Sequence, residues 1–277
     1  MVAGELVMAN LFFSIIKTLI EHPLRFFFFY AIVFTALFGS LAFYSKPILS
    51  LLPYDSLLMF GIVAGLLQLL GYILYLSIQH IDPNPVTWFM FAYGTAILTI
   101  LEWDAHATLP ELILPAVCAV LAIVVSIRCW IRARRSDPTR WWPEDWWPED
   151  KWERWSFVTD IFITIGYVTA WLLVAWMLIP SQYFYIAVLV FLFLSNISTF
   201  PSFYPLLKET YLYPHKEHWA PWAIWALAYA ILALVTYSTH GTFFQPLMFY
   251  PVSNAVMHGI VAYLALRKSY LYVHKNT

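Results

Sequence analysis

Four polar side chains interrupt long apolar stretches of this chain, and each lies near the middle of its stretch: Gln68, Asn196, Asn254 and His258. A polar group at membrane depth is costly, so it tends to face a cavity or a partner. Asn254 and His258 are spaced i, i+4 and share one helix face. The pattern predicts groups that bind a polar solute. The alternative role is hydrogen bonding between helices, which is worth about 0.6 kcal/mol. This alternative is favoured for Gln68 and Asn196, because each of them stands alone.

A run of aromatic residues accompanies these polar groups. Trp222, Trp225 and Tyr229 follow Trp219 at helical spacing and lie along one broad face. An indole offers a flat apolar surface and one N–H donor, which suits a pocket for a sugar or a heterocycle. We expect Trp222 to face such a pocket and Trp219 to anchor the helix at the membrane interface. Core packing is the alternative for the other aromatic residues.

Acidic residues near the apolar stretches give a weaker chemical signal. Asp160 is expected to reach the membrane interface or to pair with Arg154, and Glu102, Asp104 and His106 are expected in a turn that faces water. The motifs of coupled ATPases and of known membrane hydrolases are missing. No catalytic residue, metal site or cofactor is therefore predicted, although an intramembrane enzyme that uses Asp160 or His258 is kept as a third reading.

Composition places these residues in a membrane protein. The chain is 62% hydrophobic, 19% aromatic and 11% charged, with a mean hydropathy of +0.71, whereas soluble domains carry roughly 25% charged residues. A net charge of −1 argues against a nucleic-acid partner and leaves the lipid bilayer as the expected surroundings. Cys118 and Cys129 lie about three turns apart in one predicted helix, which is too far for a disulfide.

The apolar stretches predict an all-α, polytopic helical membrane protein with about eight transmembrane helices. The expected spans lie near 25–45, 57–79, 86–103, 110–131, 157–179, 183–206, 219–239 and 246–266. Residues 1–24 are expected to form an amphipathic segment at the membrane interface. Residues 132–155 form a Trp-rich linker with two copies of WWPED, and residues 269–277 form a tail.

The positive charges predict how the helices are oriented. When the chain is threaded as eight spans, fourteen of its fifteen Lys and Arg residues fall on one side, and only Lys46 falls on the other. Short loops rich in Lys and Arg stay in the cytoplasm. Both termini and the linker are therefore expected to be cytoplasmic.

The two halves of the chain have similar patterns. Residues 71–98 and 200–232 each run from the end of a span, through a loop with proline, into a helix that opens with Trp; 114–130 and 250–266 each begin with an early proline. We interpret the chain as two parallel four-helix repeats, residues 25–131 and 156–268. Because each repeat has an even number of spans, an axis along the membrane normal relates the two, and a substrate site is expected between them near the midplane.

This order of features is similar to the three-helix repeat of the PQ-loop superfamily, which includes the SWEET and SemiSWEET sugar transporters. The segment Pro251-Val-Ser-Asn254, followed by Gly259, resembles the last helix of a SWEET repeat, where the resemblance implies that the asparagine faces the substrate. The chain has no Pro-Gln dipeptide, Cys118 occupies the matching position in the first half, and each triplet of helices has its own leading helix.

Together these patterns predict a carrier for a small polar solute, such as a sugar or a ring-containing metabolite. It would work by alternating access between the two repeats, with Asn254, His258, Asn196, Trp222 and Gln68 as candidate binding residues. The alternative is a receptor or assembly protein that does not transport and that binds a partner through its linker. The identity of the solute, the coupling ion and the oligomeric state are left open.

Overall fold

The computed structural model describes residues 52–78, 85–136, 150–242 and 245–273. Within these ranges the regular structure is helical, apart from turns. The helices are α1 (Tyr54–Ser77), α2 (Pro85–Asp104), α3 (Leu109–Ser136), α4 (Lys151–Ala175), α5 (Ser181–Leu212), the short 3-10 helix Pro214–Lys216, α6 (Trp219–His240) and α7 (Pro246–Val273). The predicted interfacial segment 1–24, the predicted span 25–45 and the middle of the linker lie outside the described residues.

Seven of the described helices are long and apolar enough to cross a membrane. A helix satisfies its backbone hydrogen bonds internally, which the bilayer requires of any spanning segment. Large apolar side chains cover the outside of the bundle, including Met59, Phe162, Trp171 and Ile186. These observations agree with the predicted all-α, multi-pass membrane class. The eighth span and the repeats stay predictions.

Local sequence sets several helix ends. Pro180 precedes α5, and the Asp150 side chain accepts a hydrogen bond of 2.7 Å from the Trp152 backbone N–H at the start of α4. Gly241 ends α6 with φ 67°, a left-handed conformation that glycine adopts without steric cost. Helix α3 continues to Ser136 and α4 begins at Lys151, so both ends of the predicted linker are helical.

The charged residues divide the bundle into two ends. One end of the bundle holds three landmarks, which are Ser77, Ser136 and the start of α2. We call it the basic end. The described Lys and Arg residues lie at this end: Arg128, Arg132, Arg134, Arg135, Lys151, Arg154, Lys208, Lys216 and Arg267. The opposite, acidic end holds Asp55, Glu102, Asp104 and Glu111.

The helices pack as two triplets with one helix beside them. In the first triplet α3 packs against both α1 and α2, and in the second α7 packs against both α5 and α6. The triplets meet where α1 packs on α6 and where α2 packs on α5, while α4 packs mainly on α5. The apolar core includes Leu98, Leu101, Ile163, Leu192 and Leu232, and it fills the space between the triplets on the acidic side of the site described next.

Candidate functional site: a cavity between the two helix triplets

A cavity of about 50 Å³ lies between the triplets, and all seven described spans contribute to its wall. Two kinds of side chain line it. The aromatic rings are those of Tyr72, Trp88, Phe91, Phe203, Trp222, Trp225, Tyr229 and Tyr250, and the other polar groups are Thr95, Ser156, Asp160, Ser195, Ser198, Thr199, Ser202, Asn254 and His258. Because a water molecule needs roughly 10–15 Å³ of such space, the cavity has room for a few waters.

His258 is enclosed by aromatic rings. Its ring centroid lies 5.0 Å from that of Tyr229, 5.1 Å from Phe203 and 5.3 Å from Trp222. Its Nδ1 lies 2.8 Å from the carbonyl oxygen of Asn254. Because a carbonyl only accepts hydrogen bonds, the Nδ1–H donates in the neutral ring, and Nε2 is left as an acceptor.

Asn254 lies on the same face of α7, one turn before His258. Its Nδ2 donates to the Tyr250 carbonyl in its own helix, at 3.0 Å. Within the described part of the chain, its side chain makes no hydrogen bond to another helix. No hydrogen bond among the described residues therefore supports the alternative role of Asn254, a polar link between helices.

Asp160 also lines the cavity and is buried, with 5% of its surface exposed. The Ser198 hydroxyl donates to its Oδ1 at 2.5 Å, and Gly94 faces its Oδ2. The expectation that Asp160 would reach the interface or pair with Arg154 is wrong. Helix α4 directs this residue toward α5 and α2. The sequence indicates how deep a residue lies in the membrane, but it does not tell which helices its side chain contacts.

Hydroxyl groups on α4 and α5 surround Asp160. Ser156 donates to the Ser198 carbonyl at 2.7 Å, Ser198 also approaches the Ser195 carbonyl at 2.9 Å, and Ser202 donates to the Thr199 carbonyl at 2.6 Å. Prolines at 201 and 205 lie inside α5, and each lacks the N–H that a helix needs. The neighbouring hydroxyls add hydrogen bonds to a stretch of α5 whose backbone ladder is interrupted.

The structure does not bring Gln68 and Asn196 to this cavity. The backbone carbonyl of Gln68 accepts from Trp225 Nε1 at 3.2 Å, and Asn196 Nδ2 donates to the Leu192 carbonyl at 2.8 Å. The amide oxygens of both residues are buried and have no hydrogen-bond partner within the described residues. Of the five predicted binding residues, Asn254, His258 and Trp222 lie together, and their role in binding stays a prediction.

A layer of three aromatic side chains separates this cavity from a second one toward the basic end. Trp88, Phe91 and Trp222 line both cavities, and the second has a volume of about 20 Å³. Its other lining residues include Tyr75 and Glu217. We call Trp88, Phe91 and Trp222 the aromatic layer.

Glu217 fixes one member of the aromatic layer. Trp222 Nε1 donates to Glu217 Oε2 at 2.8 Å, and Tyr75 lines the same second cavity. Burial raises the pKa of Glu217 to about 7, the hydrogen bond from Trp222 opposes the rise, and the charge of Glu209 adds to it. Lys216 pairs with Glu209 at 2.6 Å.

The acidic end contains a separate polar group of residues. Glu102 is buried, with 3% of its surface exposed, so the expectation of a water-facing position is wrong for it. Glu111 accepts from His240 Nε2 at 2.9 Å if that nitrogen carries the proton, and Asp104 accepts from the Tyr167 hydroxyl at 2.7 Å. His106 stacks on Tyr185. Within the described residues, no group of three or more His, Cys, Asp or Glu could hold a metal ion.

Both cysteines are buried and free, as the sequence predicted. Cys118 lines the cavity, and its Sγ lies 3.4 Å from the Tyr229 hydroxyl and 3.5 Å from the Tyr72 hydroxyl. Cys129 lies nearer the basic end, beside Arg128. These two thiols are native reporters of access to different depths of the bundle.

Sequence reasoning missed Asp160 and the hydroxyl groups around it as part of the site. Ser156 and Asp160 are spaced i, i+4, and Ser195, Ser198 and Ser202 also recur at helical spacing. These two periodic polar stripes are the signal that could have indicated a shared wall.

Comparison with known proteins adds no family. No family model, no curated protein and no solved structure matches this chain. A function is therefore argued from the cavity and its lining residues.

Proposed function

We propose that this protein is a membrane carrier for a small polar solute, and that it works by alternating access between its two helix triplets. The observation that carries the proposal is the cavity between the triplets, which the buried Asp160, Asn254 and His258 line together with aromatic rings. Polar groups at membrane depth that face a cavity are typical of substrate and ion pathways. A fully packed core would instead favour the receptor or assembly protein.

The arrangement of the triplets supports a duplicated carrier. Helices run in the spatial order α1–α3–α2 in one triplet and α5–α7–α6 in the other. The last helix of each triplet places a residue on the cavity, Cys118 from α3 and Asn254 from α7. These are the two positions that the SWEET-like resemblance aligns. Parallel repeats with a site at their interface are a known plan for transporters.

The aromatic layer suggests a route from the cavity toward the basic end. Trp88, Phe91 and Trp222 are shared by the two cavities, so a rotation of these side chains would join them and lead toward the basic end. Because the cavity volume is only about 50 Å³, we propose that a larger solute enters by this movement.

The basic end is proposed to face the cytoplasm, with both termini on that side, because of the distribution of Lys and Arg. Cysteine substitutions at Ser136 and Thr242 test this orientation. An impermeant maleimide added to intact cells should label Thr242→Cys and should spare Ser136→Cys. The reverse pattern of labelling would reject the orientation.

Asn254→Leu tests the carrier itself, and Asn196→Leu is the matched control because Asn196 is equally buried but lies off the cavity. Purified variants in proteoliposomes are given a panel of labelled sugars, amino acids and amines, and their melting temperatures are measured in parallel. Asn254→Leu should abolish uptake and cost about 0.6 kcal/mol or less of stability. Asn196→Leu should keep its uptake. Full uptake by Asn254→Leu would refute the proposed site.

A further inference from the structure

The hydrogen-bond donors around the cavity are largely used within the protein. The hydroxyls of Ser156 and Ser202 donate to backbone carbonyls, and the Ser198 hydroxyl lies between Asp160 and the Ser195 carbonyl. The Thr199 hydroxyl also approaches the Ser195 carbonyl, at 3.2 Å. A hydroxyl has one hydrogen, so these four groups have little left to donate to a ligand.

Two of the indole N–H groups of the wall are also committed elsewhere. Trp222 donates to Glu217, and Trp225 donates to the Gln68 carbonyl. An indole is a donor only and has a single N–H. These two indoles therefore present ring faces, and not donors, to a ligand in the cavity.

The acceptors of the cavity are less occupied. Asp160 accepts one side-chain hydrogen bond, His258 uses its one N–H on a carbonyl of its own helix, and Asn254 uses one of its two N–H groups in the same way. The oxygens of Asp160, Nε2 of His258 and Oδ1 of Asn254 thus remain able to accept. The hydroxyls of Thr95 and Ser195 can serve in either role. The open hydrogen-bonding capacity is mainly that of an acceptor.

The charged residues of the cavity wall also favour a ligand that donates hydrogen bonds. Asp160 is the acidic residue of its wall, and among the described residues that line the cavity there is no Lys or Arg. A buried carboxylate without a positive partner is costly in a medium of low polarity. A cationic ligand would remove this cost. The rings of Trp222, Trp225 and Tyr229 would add cation–π attraction, which is strongest for Trp.

We infer that the solute is an organic ammonium ion, whose N–H groups are held by Asp160, with help from Asn254 and His258, and whose apolar part lies among the aromatic rings. This inference rests on the proposed carrier function and names the substrate class for the same cavity. A neutral sugar fits the open groups less well, because its hydroxyls need donors as well as acceptors.

Binding is tested on the purified full-length protein with three probes: benzylammonium, its neutral isostere benzyl alcohol, and sodium chloride. Sodium chloride is compared with a sodium-free buffer of equal ionic strength that also contains no choline. Ligand that binds only the folded state raises the melting temperature. Benzylammonium should raise it for the wild type and for Asp104→Asn, in which the changed acid bonds to Tyr167 away from the cavity. The apparent affinity should fall at least tenfold in Asp160→Asn, and benzyl alcohol should give no comparable shift.

A second measurement covers the case in which Asp160→Asn folds poorly. In a Cys129→Ser background, Cys118 is the remaining cysteine, and it lines the cavity. Benzylammonium should slow alkylation of Cys118 at least tenfold, and benzyl alcohol should not. Equal protection by the two probes, equal binding to Asp160→Asn, or stabilisation by sodium alone through Asp160 would each overturn the inference.

The inference and the carrier proposal fail in different ways. Uptake of a neutral solute that depends on Asn254 but not on Asp160, without binding of benzylammonium, would keep the carrier and refute the ammonium ligand. Binding of benzylammonium through Asp160, without uptake of labelled benzylammonium into proteoliposomes, would keep the ligand class and refute the carrier.

Discussion

The two seams between the triplets are built differently. At the sealed seam, where α1 meets α6, Gly71 lies directly under Trp225, and the Trp225 ring centroid is 4.9 Å from Tyr72 and 5.6 Å from Tyr75. A β-carbon added at Gly71 would come within 2.3 Å of Trp225 Nε1. This seam therefore has no room for a side chain at position 71.

At the cavity seam, where α2 meets α5 with α4 behind it, the contacts are more polar and the glycine has more room. The rings of Phe91 and Phe203 lie 4.9 Å apart, and a β-carbon added at Gly94 would stay 3.3 Å from Asp160 Oδ2. The cavity opens beside these contacts. We expect the sealed seam to be the pivot of the transport cycle and the cavity seam to be the side that opens.

Gly71→Ala should have the largest effect, because the sealed seam cannot take up a methyl group. We expect a loss of about 1–3 kcal/mol of stability, typical of an overpacked core. Gly259→Ala is the control, since its added β-carbon would meet only Ala226, at 4.0 Å. Melting temperatures in one detergent measure both variants. Similar melting temperatures for the two would show that the sealed seam is not tightly packed.

Glu217 should make the stability depend on pH at the point where the two seams meet. Its pKa is raised by burial to about 7, so the folded protein binds more protons than the unfolded chain between about pH 4.5 and pH 7. Stability should therefore be highest below this window and should fall as pH rises through it, by at most about 1.4 kcal/mol per pH unit.

Denaturation at a series of pH values, in the wild type and in Glu217→Gln, measures this contribution. The glutamine variant can still accept a hydrogen bond from Trp222 but does not titrate. Its stability should change less across the window. An identical pH profile in the two proteins would contradict the assignment of this slope to Glu217.

Phe91→Ala should open the cavity seam without disturbing the sealed one. In a Cys129→Ser background, we expect Cys118 to react with a small thiol reagent about tenfold faster, because the aromatic layer then has a gap. Phe162→Ala is the control, since this side chain is 70% exposed on the outside of α4. If the labelling rates of the two variants agree, then Phe91 is not part of a barrier.

Gly94→Ala should have the smallest effect on stability and should sharpen the comparison with Gly71→Ala. The Asp160 side chain needs to shift by only a few tenths of an ångström, and alanine favours the helix by up to about 1 kcal/mol. The net change in stability should stay below about 1 kcal/mol, while the affinity for benzylammonium falls. A loss of stability as large as that of Gly71→Ala would show that the cavity seam is equally tight.

Much of the fold could be predicted from the sequence because membrane helices must be long, continuous and apolar. The predicted spans near 57–79 and 86–103 match α1 and α2 closely, and the spans 219–239 and 246–266 lie within α6 and α7. The predicted span 110–131 matches the membrane-spanning part of α3, Leu109–Arg132, and the helix continues past it to Ser136. The i, i+4 spacing also predicted that Asn254 and His258 share a face.

The candidate site could be predicted only in part. Trp222, Asn254 and His258 belong to α6 and α7, which are adjacent in the chain and in space. Gln68 and Asn196 were chosen for depth alone, and depth does not tell which side of a helix meets the cavity. Asp160 was assigned to the interface for the same reason. Its distance from the end of α4 was known from the sequence, but the residues packed around it were not.

The sequence by itself determined the membrane class, the positions of most helices and the end of the bundle that carries positive charge. These properties depend on local composition and on helical periodicity, which a single stretch of chain contains. The tertiary structure decided that Asp160 on α4 lines the same cavity as Asn254 and His258 on α7, and that one seam is tightly packed at Gly71 while the other borders the cavity. Such relations depend on which helix faces pack together, and only the folded bundle specifies them.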